Sequence, residues 1–172
     1  MFYPSPFRAV FLIGALLFSA AAQADESTGK AIAVPEQTVT FIDRASTNVQ
    51  DALEQALDLI GIRYKRGGSS PETGFDCSGF VSHVFKEGLG LYLPRSSREI
   101  SKAGEVVDKT ELQPGDLVFF NTMRRTFSHV GIYLGDNLFV HAPRAGAKVR
   151  IEDMRARYWA TRYNGARRVG EG

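Results

Sequence analysis

Hydrophobic residues recur at helical spacing in two segments of the chain's first half. In STNVQDALEQALDLIG, apolar side chains fall every three or four positions, which is typical of an amphipathic helix. Ser46 or Thr47 is suited to cap the start of this helix, and Gly61 is suited to end it. The segment CSGFVSHVFKEGLG repeats the pattern from Cys77 to a predicted stop at Gly88. We therefore expect two helices that each bury one face.

A polar segment between the two helices is predicted to be a loop. The stretch RYKRGGSSPETGFD, residues 63–76, is rich in Gly, Ser and Pro. Its last residue, Asp76, is a good N-cap for the second helix. Cys77 therefore lies in the first turn of that helix.

Strand patterns dominate the second half of the chain. DLVFF, residues 116–120, predicts a short buried strand, and HVGIYLGDNLFVHA, residues 129–142, predicts a β-hairpin. AKVRIED and the terminal RYWATRYNGARRV each offer one further strand, whereas residues 93–115 are mostly connection with one helical turn. Because helices come first and strands later, the pattern predicts an α+β fold.

The hairpin brings two of the chain's three histidines to one face. Burying the alternating apolar residues of both strands together requires an odd number of loop residues. A three-residue loop, residues 135–137, satisfies this condition and pairs Leu134 with Leu138. His129 and His141 then become diagonal neighbours at ~7–8 Å between Cα atoms. A two-residue loop would instead place them on opposite faces.

The amino-terminal residues 1–24 predict a secretory signal peptide. Arg8 supplies a positive charge, residues 9–22 form an apolar run, and the AQA that follows fits the small-x-small cleavage rule. A retained membrane anchor is the alternative, but it needs ~20 apolar residues. We expect a periplasmic or secreted protein with no membrane span after cleavage, a flexible lead-in over 25–44 and a single domain over 45–172.

Composition and charge narrow the choice of partners. The chain is 44% hydrophobic and 23% charged with a formal net charge of +2, which is ordinary for a globular protein. Basic residues concentrate over 144–168, where a solvated face is the simplest interpretation and attraction to an anionic polymer such as the cell wall is the alternative. Without a recognisable nucleic-acid-binding motif, an exported chain gives no reason to expect a nucleic acid partner.

Cys77 is the only cysteine of the chain, so it cannot form an internal disulfide. A small buried hydrophobe, an intermolecular disulfide and a reactive thiol are the three alternatives. A helix start lowers a thiol pKa, and a neighbouring imidazolium lowers it further. His129 would supply that imidazolium if the sheet packs against the helix end, and His141 would orient its ring.

Two competing interpretations of the histidines remain open from the residues alone. Histidines on a solvated sheet face are common, and two histidines with a cysteine can bind zinc. Neither CxxC nor HxxxH spacing is present, so we expect no metal and no cofactor. His83 lies six residues beyond Cys77 on the same helix and points away from the thiol, which indicates a structural side chain.

Five stretches together resemble a known family. They are IGIRYKRGGSSPETGFDCSGFVSHVF, LPRSS, LQPGDLVFF, HVGIYLGDNLFVHA and the terminal ARRV, which span about residues 50–169. They closely resemble the NlpC family of papain-like cell-wall cysteine peptidases, the NlpC/p-sixty superfamily. The resemblance implies a circularly permuted papain-like fold, with helices packed against a central antiparallel β-sheet. It also implies Cys77 as nucleophile, His129 as general base and acid, and His141 as the polar orienter.

The resemblance extends to candidate substrate-binding residues. It implies that Tyr64 lies at the active site, that Asp76 shapes the site and that Ser78 lines the pocket. Arg95, in LPRSS, matches a position of a family motif. Relatives often carry a Gln shortly after this motif, where the present chain reads Arg-Glu-Ile over residues 98–100.

Members of this family hydrolyse bonds in peptidoglycan stem peptides, so the resemblance implies these peptides as the substrate. Many cut between γ-D-glutamyl and a diamino acid, and others cut the D-alanyl–diaminopimelyl crosslink. The sequence does not choose between the two bonds. An amidase or acyltransferase on the same fold and a non-catalytic wall-binding module are the alternatives.

Overall fold

The computed structural model describes residues 48–122 and 124–170, which form helices and β-strands. The helices are α1 (described from 48 to 58), α2 (Cys77–Leu89), α3 (Ser97–Ile100) and α4 (Arg157–Ala160). The strands are β1 (Ser69–Ser70), β2 (Gly74–Phe75), β3 (Glu105–Val107), β4 (Leu117–Phe120), β5 (His129–Gly135), β6 (Leu138–His141), β7 (Arg150–Asp153) and β8 (Tyr163–Arg168). A 3-10 turn covers Lys109–Glu111. The predicted signal peptide 1–24 and lead-in 25–44 lie outside the described residues.

The six strands β3 to β8 form one antiparallel sheet in the order β3-β8-β4-β5-β6-β7. Alternation along these strands sends side chains to two separate cores. The core on the α2 side contains Ala52, Leu53, Ala56, Phe75, Phe80, Val81, Val84, Phe85, Ile100, Leu117, Phe119, Val130, Ile132, Val140, Ala142 and Val149. The core on the other face contains Val107, Val118, Phe120, Tyr133, Phe139, Met154, Trp159 and Ala166. The α+β prediction, with helices against an antiparallel sheet, is confirmed.

The turn of the β5–β6 hairpin differs from the prediction. The loop holds two residues, Asp136 and Asn137, rather than the three predicted over 135–137. Both have positive φ, 51° and 63°, which is typical of a type I′ turn. Asp and Asn tolerate this left-handed backbone better than other side chains do, so the turn suits its sequence.

A β-bulge restores the alternation that a two-residue loop would otherwise break. The register shifts between Tyr133 and Gly135, so Leu138 pairs with Gly135 and not with Leu134 as predicted. The extra residue in β5 keeps both histidines on one face of the sheet.

Helix α2 runs two residues further than predicted. It ends at Leu89 and is capped by Gly90, whose φ of 67° is the left-handed conformation favoured at helix ends, and not by Gly88. Gly88 lies against α1 instead, because a Cβ there would come within 2.6 Å of the Cα atom of Ala52. The glycine that looked like a stop therefore permits close contact between the two helices.

The remaining predictions of local structure hold in part. The predicted loop 63–76 contains the short β1–β2 hairpin. Residues 93–115 contain the expected helical turn, α3, but also β3 and the 3-10 turn. Leu57 on α1 and Ile60 in the turn after it are more exposed than their helical spacing predicts, at 42% and 43%. Across the described ranges, no helix has the length and apolar character needed to span a membrane.

Candidate active site

Cys77 opens α2, and local contacts hold this helix start in place. Asp76 has an extended backbone, and its Oδ1 atom accepts a hydrogen bond from the Gly79 N–H at 2.8 Å. This is the N-cap predicted from the sequence. The backbone N–H groups of Val130, Ser78 and Cys77 itself are close enough to the Cys77 sulphur to lower its pKa. Because Val130 follows His129 in β5, the thiol lies against the strand that carries this histidine.

The thiol is more protonated than its position at a helix start suggests. Burial, with a smaller contribution from the negative charge of Asp76, raises the pKa of Cys77 to about 11. The three backbone N–H groups lower the pKa, but by less than burial raises it. The free protein therefore carries a neutral thiol at neutral pH, where the sequence predicted a lowered pKa.

His129 and His141 are joined directly. The Nε2 atom of His129 lies 2.7 Å from the Nδ1 atom of His141, and both side chains are buried. Burial lowers the pKa of both imidazoles, and the nearby His141 lowers that of His129 further, well below its usual value. Both rings are therefore neutral at pH 7, each with one nitrogen that donates and one that accepts.

An aromatic layer encloses this histidine pair on the sheet face opposite α2. The ring of Trp159 stacks on His129 at 5.6 Å between ring centroids and 26° between planes. Phe139 packs beside His141 at 4.7 Å, and Phe120 packs beside His129 at 6.4 Å. This layer excludes water from the two imidazoles, which is why burial is the largest cause of their lowered pKa values.

Glu152 is a contact of the histidine pair that sequence reasoning missed. Its Oε2 atom lies 3.2 Å from Nε2 of His141, and its Oε1 atom accepts a 2.8 Å hydrogen bond from Nε of Arg150. The contacts with His141 and Arg150 lower the pKa of Glu152 to about 2, although burial alone would raise it. The strand pattern of AKVRIED carried the only available signal, since Glu152 becomes a diagonal neighbour of His141 once β6 and β7 are in register.

An exposed polar cluster lies on the other side of the thiol. Arg95 donates to both carboxylate oxygens of Asp76, from Nη2 to Oδ2 at 2.7 Å and from Nη1 to Oδ1 at 3.0 Å. Arg95 also donates to Oγ of Ser78 at 2.9 Å. Burial alone would raise the pKa of Asp76, but the hydrogen bonds from Arg95, Gly79 and Gly67 lower it below its usual value.

Tyr64 stands close enough to this cluster for its pKa to respond to it. Burial raises the pKa of Tyr64, and the nearby Asp76 carboxylate and Cys77 thiol, the latter once it is ionised at high pH, raise it further. The structure thus brings Tyr64, Asp76, Ser78 and Arg95 together around the helix start. Only Arg95 is exposed, whereas Tyr64 and Asp76 are partly buried and Ser78 is buried. We name this group the exposed cluster after its arginine.

The comparison with known proteins follows from this geometry. Residues 61–168 match the model of the NlpC/P60 family. The chain belongs to the NlpC/P60 family. Murein DD-endopeptidase MepS/Murein LD-carboxypeptidase of Escherichia coli (strain K12) is 47% identical over 117 residues, or 68% of this chain and 61% of that protein. Gamma-DL-glutamyl hydrolase of Bacillus subtilis (strain 168) is 42% identical over 127 residues, or 73% of this chain and 30% of that protein.

A solved NlpC/P60 structure supports the same fold. The crystal structure of an NlpC/P60 family protein from Bacillus cereus ATCC 10987 matches with a TM-score of 0.67 and 36% sequence identity. The match covers 72% of this chain and 40% of that chain. The papain-like α+β fold implied by the resemblance is therefore that of the NlpC/P60 family.

The Arg-Glu-Ile stretch over residues 98–100 lies in α3, which Ser96 caps. The Oγ atom of Ser96 donates to the Glu99 carboxylate at 2.7 Å and accepts from the Glu99 N–H. Arg98, which precedes Glu99, is exposed. Ser96 and Glu99 thus stabilise the start of this short helix.

A cleft of about 580 Å³ opens beside the histidine pair of this NlpC/P60 domain. Its lining includes Thr122, Arg144, Glu152, Tyr158 and Trp159. It lies at the end of the sheet where β5 begins and β6 ends, which is also the end that holds the histidines. The cleft borders Glu152 and Trp159, which contact the imidazoles, but neither histidine nor Cys77 is among its lining residues.

The third histidine lies apart from this site. His83 packs on the ring of Phe75 at 5.2 Å and has no recorded contact with the other two histidines. Among residues 48–122 and 124–170, no group of three or more His, Cys, Asp or Glu side chains is arranged to hold a metal ion.

Proposed function

We propose that this protein is an exported peptidoglycan endopeptidase that hydrolyses amide bonds in cell-wall stem peptides. One observation carries the proposal: the chain's single thiol opens a helix and contacts the strand that carries one member of a buried histidine pair. This is the arrangement needed for acyl transfer through a cysteine nucleophile. The named activities of MepS and of gamma-DL-glutamyl hydrolase support peptidoglycan peptides as the substrate class.

In the proposed reaction, Cys77 is the nucleophile and His129 is the general base. The Nδ1 atom of His129, which the contact with His141 leaves free, accepts the thiol proton as sulphur attacks the amide carbon. The oxyanion that forms is stabilised by backbone N–H groups at the start of α2. The imidazolium then returns its proton to the departing amine, and water hydrolyses the thioester by the same steps.

A neutral thiol and a neutral imidazole suit this sequence of steps. The proton moves only when a substrate carbonyl is in place, and His141 holds the ring of His129 through the 2.7 Å hydrogen bond. A cysteine and a histidine can rest either as a neutral thiol and imidazole or as a thiolate–imidazolium ion pair. Burial favours the neutral state for Cys77 and His129.

The exposed cluster is proposed to bind the acyl half of the substrate. Asp76 and Arg95 present a carboxylate and a guanidinium beside the nucleophile, while Ser78 and Tyr64 add hydroxyl groups. A stem-peptide terminus carries both an ammonium and carboxylates, so this cluster offers groups that complement each of them.

Digestion of defined muropeptides followed by mass analysis tests the proposed function. Hydrolysis should add one water and split a stem peptide at the γ-D-glutamyl–diamino acid bond or a crosslink at the D-alanyl–diaminopimelyl bond. The fragment masses identify which bond is cut. An acceptor in place of water would indicate an acyltransferase, and binding to sacculi without soluble fragments would indicate a wall-binding module.

Inhibitors provide a second test of the chemistry. A thiol alkylator should abolish the release of fragments, because the thiolate is the attacking group. A chelator should leave the release unchanged. The reverse pattern would contradict a cysteine mechanism and favour zinc.

Export is proposed from the same considerations. A peptidoglycan substrate lies outside the cytoplasm, and the predicted signal peptide over 1–24 would deliver the chain there. Fractionation and amino-terminal sequencing of the mature protein should find a start near Asp25.

A further inference from the structure

Two buried polar atoms face each other at the end of the histidine pair. Nε2 of His141 and Oε2 of Glu152 have no regular hydrogen-bond partner among the described residues. They lie 3.2 Å apart, although the angle between them falls outside that of a regular hydrogen bond. Because buried polar groups are almost always paired, each atom is the natural partner of the other.

The strand register and a neighbouring arginine hold Glu152 in this position. In the β6–β7 ladder His141 pairs with Arg150, and Phe139 pairs with Glu152, so His141 and Glu152 are diagonal neighbours on one face. Arg150 donates to Oε1 of Glu152 from Nε at 2.8 Å and also from Nη2. The arginine leaves Oε2 directed at the imidazole, and it keeps the carboxylate ionised, so that the carboxylate only accepts.

We propose that Glu152 is a positioning residue that sets the tautomers of His141 and His129. This inference rests on the proposed function of Cys77 and His129, and it extends the predicted three-residue site by a fourth member. No step requires Glu152 to touch the substrate.

The position of the proton on each imidazole follows from the contacts that join Glu152, His141 and His129. The Glu152 carboxylate can only accept, so His141 must carry its proton on Nε2 and leave Nδ1 bare. A bare Nδ1 on His141 can only accept from Nε2–H of His129 across the 2.7 Å contact. His129 is then left with a bare Nδ1, the atom proposed to take the thiol proton. Without Glu152, the opposite tautomers become available, and His129 in that form cannot act as a base.

The carboxylate has a second effect once His129 has taken the proton. The negative charge of Glu152 raises the pKa of both imidazoles, whereas Arg150 lowers that of His141. From α2, the titratable group beside β5 is Cys77, and the side chains that β4, β6 and α4 pack against the imidazoles are the uncharged rings of Phe120, Phe139 and Trp159. Glu152 is therefore the group that stabilises the transient imidazolium.

The direct test is the tautomeric state of the histidines, measured by long-range ¹H–¹⁵N correlation spectra of the ¹⁵N-labelled protein at neutral pH. The chain has three histidines, and His83→Gln identifies the signals of His83. Wild type should show His129 and His141 with Nε2 protonated and Nδ1 bare. Glu152→Leu, which removes the acceptor, should give mixed or reversed tautomers in both rings. Wild-type nitrogen signals in a folded Glu152→Leu protein would overturn the proposal.

Activity on muropeptides provides the second readout. Glu152→Leu should lower kcat on the order of 100-fold, as expected when the orienter of a general base is lost, with KM changed by less than about threefold. Glu152→Gln keeps the shape, and its amide oxygen can still accept a hydrogen bond from Nε2–H of His141, so it should recover part of the lost kcat. It also remains informative if the Leu variant fails to fold. Equal losses in both variants with unchanged tautomers would contradict a positioning role.

A neighbouring acid on the same strand gives the matched control. Asp153 is the next residue of β7 and is likewise paired with an arginine, Arg155, at 2.7 Å, but it touches neither imidazole. Asp153→Asn should therefore leave kcat and the histidine tautomers unchanged. A loss equal to that of Glu152→Gln would show that any charge on this strand matters and would overturn the specific role of Glu152.

The two readouts separate this inference from the proposed function. The nitrogen spectra need no substrate, so they test Glu152 even if wild type releases no peptidoglycan fragments. If wild type is active and the histidine tautomers are the same in wild type and Glu152→Leu, this inference is refuted and the proposed function stands.

Discussion

The two polar groups that flank Cys77 differ in exposure and in charge. The exposed cluster is built on an ion pair between Arg95 and Asp76, and the arginine side chain is half exposed. The histidine pair is buried, and its rings are neutral beneath an aromatic layer. Fixed charges near water suit the recognition of a charged substrate, whereas a dry, neutral pair suits movement of a proton. The same thiol thus separates the proposed binding region from the proposed proton-transfer region.

Loss of His129 should have the largest effect on turnover. His129→Ala removes the proposed base and should lower kcat by roughly 10²- to 10⁴-fold, with little change in KM. His83→Gln, at the histidine outside the site, is the matched control and should keep wild-type kcat. Muropeptide release followed by chromatography measures both. Equal activity of His129→Ala and wild type would contradict the proposed role of His129 in proton transfer.

The protonation state of the thiol should be visible in its alkylation rate. A thiol with a pKa of about 11 reacts faster as pH rises, by about tenfold for each unit below that value. Iodoacetamide modification of Cys77, followed by intact mass spectrometry between pH 6 and pH 10, measures this slope. A rate that is flat from about pH 5 upward would instead indicate a resting thiolate beside a charged His129.

Changes in the exposed cluster should affect substrate binding more than turnover. Arg95→Ala removes charge-assisted hydrogen bonds and should lower kcat/KM by roughly 10- to 100-fold, mainly through KM. Arg95→Lys keeps the charge but not the bidentate contact, so its kcat/KM should lie between those of Arg95→Ala and wild type. A fall in kcat at constant KM would indicate that Arg95 acts in the chemical step and not in substrate binding.

Acid should lower the free energy of unfolding through His129, His141 and Glu152, and not through the exposed cluster alone. The pKa values of His129 and His141 are lowered, so the unfolded chain binds protons that the folded chain does not, and stability falls as pH drops below about 6.5. Glu152, with its pKa of about 2 against 4.5, stabilises the fold above pH 4.5, and this contribution is lost between pH 4.5 and 2. Thermal unfolding midpoints across this range measure the loss. Glu152→Gln should reduce the slope below pH 4.5, and an unchanged slope would contradict the assignment.

The parts of the site that the sequence predicted are those set by local patterns. Alternation along β5 and β6 placed His129 and His141 on one face, and the capping position placed Asp76 before Cys77. The histidine face was right although the turn was wrong, because burial of the apolar face determines the alternation and the bulge adjusts to it.

The missed features depend on contacts between distant segments. Glu152 meets His141 only through the β6–β7 register, which no local pattern specifies. The raised pKa of Cys77 reflects how deeply the helix start is buried, which the N-terminal position alone does not reveal. Gly88 looked like a helix stop because its role, close contact with Ala52 of another helix, has no signature in its own segment.

The most direct test of the central claim compares wild type with Cys77→Ala on purified sacculi. The substitution removes only the sulphur at the start of α2, so circular dichroism should show an unchanged fold. We predict that wild type releases soluble muropeptide fragments and that Cys77→Ala releases none. Release by Cys77→Ala at the wild-type rate would contradict the assignment of Cys77 as the nucleophile.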